Sequence, residues 1–177
     1  MKYVALALLS VMAVGCSGIT VNPADAIAGI HSGATIVAST GFQALARDPA
    51  SYEKAKVYAT DTRDAINTVV LPFLSGATIG QTTRESVDFT LALLDKRINP
   101  VIKDVIQAAI NVSLSIIKLP ENPTDKLTAD QRSMLVALFT GIVDGINEFL
   151  ALGPPAAGTS SKATAPATQK LTLSGTK

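Results

Sequence analysis

The sequence predicts an all-α fold: a bundle of four to five helices over residues 23–152, followed by a disordered C-terminal tail over 153–177. Three observations predict it. Apolar residues recur at spacings of three and four through most of the chain, and no run sustains period-two alternation between turn signals. Cap-plus-proline pairs and capping boxes divide those stretches into helix-sized pieces. Hydrophobic residues make up 47% of the chain but aromatics only 5%, with no tryptophan, so the core must be built from Ala, Ile, Leu and Val.

The elements follow in order. Asn22-Pro23 reads as an N-cap with proline in the first helical position, and Ile27, Ile30, Ala34, Val37 and Gly41 then mark one face of a helix to about Ala46. Asp48-Pro49 repeats the device. Tyr52, Ala55, Ala59, Ile66, Val69 and Phe73 lie along a second helix that Pro72 and Gly76 close. Thr82 and Glu85 form a capping box for a third helix carrying Val87, Leu91, Leu94 and Ile98. Asn99-Pro100 predicts a kink or break, because proline lacks the amide donor and crowds the preceding turn. Val101 to Leu119 is apolar on most sides and reads as a buried central helix, ended by Pro120 and Pro123. Thr128 and Gln131 are a further capping box, and Leu135, Leu138, Ile142, Ile146 and Phe149 mark the last helix, which Gly153-Pro154 stops. Beyond it, Pro, Ala, Thr, Ser, Gly and Lys dominate. That composition does not bury enough apolar surface to offset its ordering entropy.

The start of the chain is of another kind. Residues 1–15 read MKYVALALLSVMAVG, with Lys2 as a positive n-region and Val4 to Val14 as an apolar h-region of secretory-signal length. The run is too short for an ordinary transmembrane helix, which needs about 20 apolar residues. Two processing readings are open. Ala13-Val14-Gly15 has the small residues of an A-x-A-like cleavage site, which would release a secreted protein. The same residues followed by Cys16, the only cysteine in the chain, resemble the lipobox of bacterial lipoproteins, with Ala13 where that family most often has leucine.

The lipoprotein resemblance covers about the first 16 residues. It implies a signal peptide over 1–15, a diacylglycerol on the Cys16 sulfur, usually an acylated amino group, and a lipidated tether over 16–22. It also implies a cell-envelope location. In Gram-negative members an Asp after the cysteine favours the inner membrane; here Ser17 stands there and points to the periplasmic face of the outer membrane. Such lipoproteins are encoded by bacteria and by phages.

Removing Lys2 with the leader leaves 14 basic residues against 14 acidic. A neutral chain has no broad field for phosphate backbones, which sets nucleic-acid partners aside. Catalytic and metal constellations are missing too. His31 is the only histidine, which rules out a His-rich metal site, and it reads as a packing or solvent-facing residue. Asp61 and Asp64, one turn apart near Lys54, Lys56 and Arg63, read as a solvated charged face. Asp144-Gly145 inside an apolar helix suggests a close crossing at Gly145 with Asp144 facing water. There is no phosphate-binding loop, zinc spacing or nucleophile elbow. The sequence therefore predicts no enzyme, no metal and no cofactor apart from the covalent lipid.

Ala26 to Ala46 carries no charge, and Gly29, Gly33 and Gly41 share one stripe with Val37. Small residues at four-residue spacing let helix backbones approach closely. The stripe predicts helix packing within the bundle, self-association, or insertion into a membrane. The functional expectation is a lipid-anchored, non-catalytic interaction, scaffold or assembly module with an envelope protein partner. The alternatives are a carrier holding a lipid or other apolar ligand in the bundle, and a self-associating, membrane-active protein built on Gly29, Gly33 and Gly41.

Overall fold

A computed structural model describes residues 22–76 and 82–155. The leader, Cys16 and residues 156–177 of the predicted tail lie outside that range. The described residues form an all-α bundle. Helix α1 spans Pro23–Leu45. Helix α2, Pro49–Ala65, runs without interruption through a π-helical turn, Ile66–Val70, into α3, Leu71–Gly76. Then come α4 (Arg84–Asp95), α5 (Pro100–Ile117) and α6 (Ala129–Leu152). Among the described residues the only β pairing is an isolated bridge between Thr83 and Lys126.

The helix starts follow from side-chain chemistry. The Asn22 carboxamide oxygen accepts from Ala24 N at 3.2 Å, and that of Asn99 accepts from Val101 N at 3.0 Å; proline follows each. Asn99-Pro100 is therefore a full break. Asp48 and Ser51 form a reciprocal capping box, as do Thr128 and Gln131. At the third start the expected Thr82–Glu85 box gives way to Thr83 and Ser86. Thr82 is instead buried, and its carbonyl accepts from Leu127 N at 2.9 Å. A tertiary strand-like contact thus shifts the cap by one residue.

The π turn has a local cause. Pro72 has no amide proton to donate to Thr68, so Leu71 N–H reaches back five residues to the Ile66 carbonyl. The wider turn moves the buried face from the expected Val69 and Phe73, which are half-buried, to Val70 and Leu74, which are 1% and 2% exposed. At the far end, Gly153 leaves α6 with φ 72°, a conformation suited to glycine.

The rods alternate in direction. Phe42, near the end of α1, stacks on Phe149 at 5.5 Å between centroids, and Tyr52, near the start of α2, lies 5.4 Å from the same ring. Arg132, in the first turn of α6, donates to the carbonyls of Leu74 and Ser75 at the end of α3. Arg84 N donates to the Asp125 carbonyl just before α6, and Gln131 Nε2 donates to the Lys118 carbonyl just after α5. The order is up, down, up, down, up, so α1 and α6 are parallel, and they share the largest interface in the bundle.

Burial places α6 at the centre. Leu135, Leu138, Ile142, Ile146 and Phe149 are each 2% exposed or less. The expectation that 101–119 is the central helix is corrected. Helix α5 buries one face, Ile102, Ile106, Ala109, Ile110, Ser113 and Ile117. It turns Asp104, Gln107, Asn111 and Ser115 outward. Its apolar excess concealed ordinary one-sided amphipathicity. By length and composition alone, α5 and α6 would suffice to cross a membrane, a test that core helices also pass.

Candidate functional site

At the α1–α6 crossing two glycines let the helices meet backbone to backbone. Gly141 and Gly145 lie one turn apart on α6, and each faces bare backbone on α1. A Cβ built on Gly141 would overlap the His31 carbonyl oxygen and stand 3.0 Å from Ala34 Cβ. One built on Gly145 would overlap the Thr35 carbonyl oxygen and stand 2.9 Å from Ala38 Cβ. Ala34 and Ala38 are 3% and 0% exposed. A small-x-x-x-small pair on each helix thus brings two backbones together, with glycine Cα–H groups aimed at carbonyl oxygens.

His31 Nε2 and Asp144 Oδ2, 3.0 Å apart, bridge the edge of this crossing. Their side chains are 38% and 47% exposed, so solvent screens the pair and its contribution is small. The structure gives His31 a partner that sequence spacing did not reveal, since the two residues are 113 positions apart. Asp144 sits at the water-facing side as expected but is bonded across to α1.

The glycine stripe of α1 divides. Gly41 is buried, and a Cβ there would overlap a γ-methyl of Val105 on α5. Gly29 and Gly33 have nothing within 4 Å of a built Cβ. Of the three, Gly41 packs closely inside the bundle, while at Gly29 and Gly33 the Cβ positions are open among the described residues. Their helix face is turned outward because Ala34 and Ala38 take the inward positions. Between Asp25 and Arg47 that outward face carries no formal charge.

No family model, curated protein or solved structure matches this chain. Its chemistry rests on its own residues. Asp61 and Asp64 are both exposed, and the Arg63 guanidinium lies 3.1 Å from Asp64 Oδ1. Among the described residues, no three His, Cys, Asp or Glu side chains converge as a metal site. A cleft of about 290 Å³ between α3 and α6 is open to solvent and lined by Leu74, Ser75, Ala129, Arg132, Ser133 and Val136. The Arg132 guanidinium is engaged there with the helix-end carbonyls of α3. Cys16, the predicted lipidation residue, lies outside the described residues.

Proposed function

We propose that this chain is an exported lipoprotein, anchored through Cys16, whose bundle is a non-catalytic interaction or assembly module of the bacterial cell envelope. One observation carries the reading: the only cysteine follows a positive n-region, an apolar run and Ala13-Val14-Gly15 in the register of a lipobox. Each buried lipid methylene contributes about 0.8 kcal/mol, and two or more chains anchor stably where one does not. Cys16 then carries lipid and does no redox chemistry. Ser17 favours the outer membrane in a Gram-negative host. The partner is an envelope protein that meets a surface held at high local concentration by the anchor.

Expression with radiolabelled palmitate tests the reading. The wild type takes up label and fractionates with membranes, while Cys16→Ser does neither. Unlabelled, soluble wild-type protein would sink it.

Self-association is a second reading, favoured by one finding. Gly29 and Gly33 lie on an uncharged helix face, and among the described residues nothing stands within 4 Å of a Cβ position at either. Under this reading, sedimentation of the anchored protein in detergent shows an oligomer that Gly33→Leu disperses.

A further inference from the structure

The parallel pairing of the first and last helices fixes which ends of the bundle the two terminal segments leave from. Residues before Asn22 join the bundle at the start of α1, the end that also holds Gly76, Thr83 and the 118–128 connection. Residues after Pro155 leave from the other end, beside the 46–48 turn, where Phe149 meets Phe42 and Tyr52. Helix α1 has 23 residues, so the two ends stand about 35 Å apart at 1.5 Å per residue.

Cys16 is six residues before Asn22. Fully extended, those residues reach about 20 Å. That is shorter than α1, so a lipid on Cys16 holds the Asn22 end near the bilayer and cannot leave it remote while the Gly153 end makes contact.

Lying flat would require a side of the bundle that binds lipid. Among the described residues the large exposed apolar side chains are spread singly over the bundle, Ile36 on α1, Val57 on α2, Phe89 on α4 and Leu152 on α6, with Val101 and Ile116 at opposite ends of α5. Interfacial helices instead gather several large apolar side chains on one face, and no helix here does so.

We infer that the bundle stands end-on at the membrane. The Asn22 end faces the lipid, and the Gly153 end, with exposed Leu152, stands about 35 Å further out. The described chain therefore ends, at Pro155, on the side away from the bilayer. This inference rests on the anchored reading.

Acylated Cys16 leaves no free thiol, so single cysteines provide unique labels in the full chain. Ala24→Cys, Ile36→Cys and Leu152→Cys, each at an exposed position, would carry a fluorophore. The proteins are purified from membranes and reconstituted in phosphatidylethanolamine–phosphatidylglycerol vesicles containing a headgroup-nitroxide lipid. The expected quenching is strongest at 24, weaker at 36 and near background at 152. Equal quenching at all three sites on protein that floats with the vesicles overturns the end-on arrangement and leaves the anchor standing. Protein that fails to float, behaving like Cys16→Ser, overturns both.

Discussion

A methyl group on Gly145 would occupy space already held by the Thr35 carbonyl oxygen, with Ala38 Cβ and Ser39 N close behind. Backbone does not swing aside as a flexible side chain does, so the helices must separate. Overpacking of this kind costs about 1–3 kcal/mol, against a gain of about 1 kcal/mol in helix propensity. Gly145→Ala is therefore expected to destabilise the bundle by about 1 kcal/mol or more in urea unfolding. Gly33→Ala meets open space and is expected to stabilise it by about 0.5–1 kcal/mol. Opposite signs for one chemical change would confirm that the two glycines do different jobs. The sequence spacing drew attention to Gly29 and Gly33, because four-residue spacing is visible in a string of letters. Which face of α1 turns inward is decided by α6, more than a hundred residues away, and no local pattern encodes it. The crossing at Gly145 was legible for another reason: a poor helix former in an apolar helix needs a packing explanation.

At the scale of elements, the caps were the most readable feature, because each is a local exchange of two hydrogen bonds. Thr128→Ala removes the hydroxyl that accepts from Gln131 N at 3.1 Å, and is expected to cost about 1 kcal/mol of thermal stability. Asp48 makes a pH-dependent cap. The Ser51 backbone N–H, 2.9 Å from Oδ1, together with the Ser51 hydroxyl, holds the Asp48 carboxyl below its ordinary value. A carboxylate with a depressed value stabilises fully above its unfolded value, and the benefit fades as pH falls through the folded one. The Tm difference between wild type and Asp48→Ala is thus expected to be constant at neutral pH and to shrink below about pH 4. A difference that persists unchanged at pH 2 would refute this role. Two element details were not legible: the shift of the third cap from Thr82 to Thr83, set by pairing with Leu127, and the π turn ahead of Pro72. Proline was visible in the sequence. Whether the helix would end or widen around it depended on Val70 and Leu74 finding a core.

For the whole molecule, the aliphatic core was legible from composition and spacing, and all five residues expected on the inner face of the last helix are buried. Three of the eight aromatics, Phe42, Tyr52 and Phe149, meet where α1, α2 and α6 join, and Phe149 there is 2% exposed. Phe149→Ala removes the ring shared by Phe42 and Tyr52 and is expected to cost about 3–5 kcal/mol in chemical denaturation. The up-and-down order follows from short connections. The parallel pairing of α1 with α6 emerges only once the intervening rods are placed.

That pairing also sets a timetable. His31 and Asp144 meet across 113 positions, so Ala34 and Ala38 stay uncovered until nearly the whole chain has left the ribosome. Closing so long a loop is slow, because its entropy is lost before the glycine contacts repay it. A nascent chain cut before α6 lacks the partner that covers Ala34 and Ala38 on its first helix. Postponed closure keeps a polypeptide threadable, which is what a translocation channel would require of this chain under the exported reading proposed above.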